Sequence, residues 1–181
     1  MSMSNYPNRM LLALAGLGLL VTGCNVGSQQ GYEPPQPIAY SHAQHAGDLQ
    51  IPCGYCHSGA ERSRHAGVPA VSTCMNCHTQ VLPDSPEIQK LSRALAGGEQ
   101  VQWVKVHRLP DHVYFSHKSH TLTAGLACQT CHGPVQQMVR LRQANDMSMG
   151  WCLSCHRASA KKTTLPTALA PSPTDCSACH Q

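Results

Sequence analysis

Five times the chain writes Cys-x-x-Cys-His: Cys53-Cys56-His57, Cys74-Cys77-His78, Cys128-Cys131-His132, Cys152-Cys155-His156 and Cys176-Cys179-His180. Two thiols three residues apart, followed at once by an imidazole, suit the attachment of a c-type haem. The thiols form thioethers to the porphyrin vinyls and the His is the proximal iron ligand. Ten of the eleven cysteines are used in this way. Tetrahedral zinc is the competing chemistry, since two Cys-x-x-Cys pairs can close an all-cysteine site. Zinc does not require a His directly after every second Cys. At the frequency of His in this chain, five in five by chance has a probability of about one in a million. A disulfide framework has no reason to keep the same spacing within every pair.

Five low-spin irons also need five distal ligands. Seven histidines lie outside the motifs: His42, His45, His65, His107, His112, His117 and His120. The pairs His42/His45 and His117/His120 are three residues apart, so each pair can project from one helical turn toward two neighbouring irons. His65 lies between the first two motifs and is a third candidate. No His occurs between His132 and Cys152, where Met147 and Met149 stand instead. Met149 is the expected distal ligand of the fourth iron, and a thioether would raise its potential; a core-filling role is the other reading. His107 and His112 compete for the remaining position, leaving the other to a propionate or the surface. Arg62, Arg64, Arg140 and Arg142 suit propionate pairing or simple solvation.

The elements that must position these residues are written twice. Tyr40-Ser41-His42-Ala43-Gln44-His45, seven residues and Cys53 match Phe115-Ser116-His117-Lys118-Ser119-His120, seven residues and Cys128, at an offset of 75 throughout. Each copy carries a second motif 21 or 24 residues on. The organisation expected is a signal peptide at 1–23, a tether at 24–36 and dihaem module 1 at 37–82. An inter-module helix and connector at 83–111 lead to dihaem module 2 at 112–157, then a linker and fifth motif at 158–181. Ser85 and Pro86 read as N-cap and first helical residue, with Ile88, Leu91 and Leu95 on one face and Gly97-Gly98 as the stop. Gln102 to Val106 reads as a short extended piece, and the prolines between 158 and 175 as linker. The fold class expected is a multihaem cytochrome c: short α-helices and loops around five covalent haems, with little or no β-sheet.

Arg9 followed by the apolar run Met10–Val21 reads as an export signal, too short to span a bilayer comfortably. It ends in Leu20-Val21-Thr22-Gly23-Cys24, which resembles the bacterial lipoprotein box. Cys24, the eleventh cysteine, would become an acylated N-terminus anchored in the membrane; an uncleaved anchor helix is the alternative. Both place the body outside the cytoplasm, where thiols would otherwise oxidise. The mature chain has about 32 residues per motif and, with one Phe, two Trp and five Tyr in all, a poor core of its own. Five porphyrins would replace that apolar mass and couple cofactor binding to folding. The formal charge of +4 falls to about +3 without Arg9. Ten propionates and five ferric cores take it to about −2, and full reduction to about −7. A nucleic-acid partner is excluded by that balance.

The residues between the motifs carry a resemblance. Small multihaem cytochromes of the class III type resemble this pattern in using the first His of each pair for the next motif. That likeness assigns His42 to the haem of Cys53/Cys56 and His117 to that of Cys128/Cys131. It sends His45 and His120 to haems elsewhere, tying the modules together. Over roughly residues 36–157 the chain is similar to the pentahaem cytochrome c component of bacterial alternative complex III. The similarity rests on Gln36-Pro37-Ile38-Ala39-Tyr40-Ser41-His42, the run Cys56 to Gly67, and Thr73-Cys74-Met75-Asn76-Cys77-His78. It continues through Trp103-Val104-Lys105-Val106-His107, Val113 to His117, Cys128 to Val135, and Met149-Gly150-Trp151-Cys152.

This resemblance implies an electron-transfer subunit without a substrate site of its own, inside a quinol:acceptor oxidoreductase. Electrons would arrive from an iron–sulfur, molybdopterin-like subunit that works with polytopic quinol-binding subunits. They would leave to a monohaem cytochrome c or a terminal oxidase at the periplasmic face of the inner membrane. Family members often carry an N-terminal membrane helix where this chain has a lipobox. A free-standing periplasmic or outer-membrane lipoprotein conduit is the second reading, and a multihaem reductase the third. Catalysis would require an open iron position, against which seven spare histidines argue.

Overall fold

The computed structural model describes residues 28–162 and 175–180. The signal and Cys24, and most of the linker before the last motif, lie outside them. Helices in this chain are built around the motifs. A Cys at i, a Cys at i+3 and a His at i+4 share one face of an α-helix. The motifs accordingly sit on α1 (Cys53–Cys56, His57 next), the C-terminal half of α2 (Val71–His78), α4 (Cys128–His132) and α5 (Met149–Lys162). The fifth opens a 3₁₀ turn, Cys176–Ala178, capped by the Asp175 carboxylate on Ser177 N at 3.0 Å. Helix α5 carries four-residue hydrogen bonding through the fourth motif as far as Lys162, so the first residues of the expected linker are helical.

Helix α3, Pro86–Ala96, begins after Ser85 with Pro at the first position and stops at Gly97, with Gly98 at φ 69°. Ile88 and Leu91 are buried on its inner face, whereas Leu95, expected with them, is exposed. It packs on α2, and Ile38, Val71, Met75, Ile88 and Leu91 form the core, flanked by Trp103. Among the described residues only eight apolar side chains, Pro34 included, are buried, and none is completely enclosed. So small a core agrees with a fold that relies on bound cofactor for its apolar mass. No strand occurs among the described residues. One isolated bridge joins Val113 to His180, and 102–106 is irregular.

The two His-x-x-His segments form π-helical turns, Ala43–Asp48 and Ser119–Thr123. Each is closed by a five-residue bond, Leu49 N to Gln44 O and Ala124 N to Ser119 O, both 3.0 Å. The halves interlock around these turns. Ala43 N donates to Met138 O at 2.9 Å, and Lys118 N donates to Ser63 O at 3.4 Å. These two bonds are related by the offset of 75, so each π turn lies on the loop that follows the other module's first motif. Thr121 Oγ1 adds a bond to Ala60 O at 3.1 Å. Residues 29–36 are strapped rather than free. Gly31 N donates to Gln143 O (2.7 Å), Gln143 N to Tyr32 O (3.0 Å), and Gln36 exchanges two bonds with Val104.

Candidate metal centres

Each motif His has a second imidazole in front of it. The ring centroids of His42 and His57 are 6.5 Å apart and 7° from parallel, and those of His117 and His132 are 6.3 Å apart at 5°. His45 faces His78 at 6.1 Å and 57°, and His120 faces His156 at 5.9 Å and 58°. His112 faces His180 at 5.5 Å and 20°. A metal between two ring nitrogens at about 2 Å from each separates the centroids by roughly 6 Å. The five pairs therefore have about the spacing of two imidazoles that would share one metal ion, and the fifth is the most compressed.

The second ring nitrogens show which end of each ring faces its partner. His57 Nδ1 donates to Gly67 O (2.6 Å), His78 Nδ1 to Val81 O (2.9 Å) and His45 Nδ1 to Ser41 O (2.9 Å). His117 Nδ1 donates to Arg64 O (2.8 Å) and His120 Nδ1 to Ser116 O (2.8 Å). A carbonyl on Nδ1–H fixes the tautomer, leaves the Nε2 lone pair for a metal and raises its basicity. Burial, with the neighbouring imidazoles, pushes His42 and His132 down to about 4. Both rings are thus neutral and ligand-competent at ordinary pH.

The motifs neighbour one another in series. Tyr55 of motif 1 accepts a hydrogen bond from Asn76 of motif 2 (3.1 Å). Asn145, before motif 4, donates to Cys131 O of motif 3 (2.8 Å). Burial raises the Cys128 thiol, and the Cys53 thiol of the other module, hydrogen-bonded beside it, raises it further. Burial raises Cys152 as well, with Cys179 of the fifth motif as the next cause. Motif 5 is pinned by Tyr114 N to Cys179 O (2.6 Å), and Arg64 donates to Val113 O (2.6 Å) with its guanidinium 4.6 Å over the Tyr114 ring. All ten motif thiols are free of disulfides. Among the described residues no group of three or more His, Cys, Asp or Glu forms the closed set a structural zinc needs.

Several sequence expectations change here. Met149 is 66% exposed, and the place expected for it opposite His156 is taken by His120. His45 and His120 face the second motifs of their own modules, where a crossing that ties the modules together is the expectation. Backbone bonds and the side chains of Thr121, His117 and Arg64 make the interlock instead. His65 is exposed, and among the described residues it has no imidazole opposite it. His112, not His107, stands before His180. His107 packs edge-on against His132 with centroids 4.4 Å apart, and its Nε2 is buried without a partner. Arg64 spends its guanidinium on Val113 and Tyr114, while Arg140 lies 3.9 Å from Glu33. His112 could not be singled out in the sequence, because its partner is 68 positions away and belongs to no repeat. Tyr40 and Phe115, which open the repeat two positions before each His pair, also belong to the site, a role that the repeat alone does not assign.

Comparison with known proteins agrees with the fold. A family profile described as cytochrome c7 and related cytochrome c matches residues 113–181, which contain the last three motifs. The multihaem cytochrome c subunit of menaquinone reductase from Nitratidesulfovibrio vulgaris (Hildenborough) is 37% identical over 98 residues. That stretch is 54% of this chain and 45% of the other, so the match spans less than half the length of the relative. Short helices and loops, repeated Cys-x-x-Cys-His motifs and the absence of sheet among the described residues make this a multihaem cytochrome c fold.

Proposed function

We propose that the chain is the electron-relay subunit of a membrane quinone oxidoreductase of the alternative complex III type, holding five c-type haems. The observation that carries this reading is that every motif His is faced by a second imidazole, so no site is left open for a substrate. The motif cysteines would anchor the five groups covalently. His57/His42, His78/His45, His132/His117, His156/His120 and His180/His112 would be the axial pairs. Bound haem supplies one-electron chemistry. The chain's part is to hold the pairs at fixed spacing, to keep the ligand rings neutral and to exclude a sixth-position reactant. Contacts between motifs run in the order 2–1–3–4–5, which makes the second and fifth sites the two ends of the relay.

Partners in this proposal are polytopic quinone-binding subunits and an iron–sulfur, molybdopterin-like subunit. A monohaem cytochrome or terminal oxidase would be the acceptor. The site of action would be the periplasmic face of the inner membrane, anchored through Cys24. A second reading comes from the name of the relative: in a menaquinone reductase the electrons would travel toward the quinone. Purification of the native assembly tests both. Quinol-dependent haem reduction supports the first direction. Oxidation of reduced haem by menaquinone supports the second. A free monomer indifferent to quinones overturns both in favour of a conduit.

A further inference from the structure

One aromatic ring touches both histidines of each pair, in the same way in both modules. Tyr40 meets His42 edge-to-face, with centroids 4.9 Å apart at 89°, and stacks on His45 at 4.4 Å and 27°. Phe115 meets His117 at 4.9 Å and 90° and stacks on His120 at 4.5 Å and 26°. Edge-to-face and offset-stacked contacts are the geometries that ring systems prefer. An Nδ1–H bond to a backbone carbonyl points the rings of His45, His117 and His120, and His42 has none, but one such bond leaves the ring plane free to rock about it. A ring wedged against its face or edge removes that freedom. Tyr40 is itself braced, edge-to-face against Trp103 at 6.4 Å, which packs on the core.

The outcome is written in the plane angles. The first site of each module has near-parallel imidazoles (7° and 5°), and the second has imidazoles turned by 57° and 58°. In a ferric low-spin iron the angle between two axial ring planes governs the splitting of the metal orbitals. Parallel rings give a rhombic resonance. Rings turned apart give a more anisotropic one, and the potential responds to the same splitting.

We propose that Tyr40 and Phe115 are positioning residues that set the imidazole planes at sites 1 and 2 and at sites 3 and 4. The repeat thereby builds two electronic classes of iron, parallel at 1 and 3, turned at 2 and 4. This rests on the bis-histidine reading and deepens it. Neither aromatic ring would touch the iron; each acts through the ligands it orients.

Electron paramagnetic resonance of the ferric holoprotein, with haem counted by pyridine haemochrome, tests the proposal. The wild type is expected to give two classes of low-spin line, with sites 1 and 3 in the rhombic class, sites 2 and 4 in the anisotropic class, and the fifth, at 20°, close to the rhombic one. Phe115→Leu, still holding five haems, is expected to move two of the five lines and their midpoint potentials. Tyr40→Leu should move another two. Tyr40→Phe, which keeps the ring, should move none. Five-haem leucine variants with unmoved lines overturn the proposal, as does a Tyr40→Phe spectrum displaced as far as that of Tyr40→Leu. Should a leucine variant lose haem, the wild-type spectrum decides, and sites 1 to 4 in one class overturn it. Failure of the underlying ligation looks different: a high-spin line, or a thioether-to-iron band, in the wild type itself.

Discussion

Sites 1 and 3 hold their imidazoles at nearly the same spacing and angle, yet they are anchored at opposite ends. At site 1 the motif ring is held, His57 Nδ1 to Gly67 O, while His42 Nδ1 is buried without a partner. At site 3 the facing ring is held, His117 Nδ1 to Arg64 O, and the motif ring His132 is packed edge-on by His107. The repeat therefore keeps what an iron requires, two neutral rings about 6 Å apart, and lets the supports diverge. The supports are where the modules should respond differently to change.

Removing a facing ring should have the largest effect and should be alike in the two halves. His42→Ala and His117→Ala are each expected to turn one low-spin iron of the five into a high-spin one, read in the ferric optical and resonance spectra. If one variant opens its site and the other recruits a substitute, the equivalence of sites 1 and 3 is broken. His107, with its unpartnered Nε2 near His132, is the residue to examine in that case.

The interlock comes next, and here the halves differ. A Cβ at Gly47 would run into the backbone carbonyl of Gln136, whereas the repeat-related position is Leu122, 57% exposed. Gly47→Ala should cost about 1–3 kcal/mol of holoprotein stability in a denaturant titration, the range for forcing atoms into a packed contact. Leu122→Ala should change it by less than about 0.5 kcal/mol.

Arg64 is a brace that only one half possesses, since its counterpart Val139 is 72% exposed. Arg64→Lys keeps the charge but loses the planar fork over Tyr114 and the reach to Val113 O. It should lower stability by about 1–2 kcal/mol, and loosen motif 5 first in hydrogen exchange at Tyr114. Val139→Ala should be silent in both.

The smallest effect separates the modules by pH. Ala39 N is held by the Glu87 carboxylate at 2.9 Å, while the repeat-related Tyr114 N is held by the Cys179 carbonyl. The Lys90 ammonium at 2.6 Å, and then the Ala39 amide, hold Glu87 below its usual 4.5. A lowered carboxylate contributes stability that is complete above its unfolded value and lost as pH falls through the folded one. The protection factor of the Ala39 amide should therefore fall as pH drops below 4.5, while that of Tyr114 does not. Glu87→Gln should abolish the difference.

The motifs, the offset of 75 and helix α3 were legible because each is a local pattern: fixed spacing, self-similarity, a cap and a stop. The ligand partners were less so. The spacing of three points each pair at two neighbouring irons, and the pairs do face two neighbouring motifs. What fails is the crossing between modules implied by the class III likeness. The five-residue bonds of the turns that carry the pairs were not legible either. No periodicity announces a π turn. Met149 looked suitable only because the stretch between His132 and Cys152 contains no His; the imidazole that fills the place comes from upstream. The pairing of His112 with His180 depends on the Val113 bridge across the whole second module, a contact that local spacing cannot encode.

Two hydrogen bonds related by the repeat, Ala43 N to Met138 O and Lys118 N to Ser63 O, make the contact between the halves self-complementary, as in a twofold dimer. Both surfaces lie on one chain, joined by the connector that contains α3. Their concentration relative to one another is thus set by the connector length, in the millimolar range for a short link, and does not fall on dilution. Docking of the halves is first order, and the closeness of sites 1 and 3 is the same at any concentration of the protein.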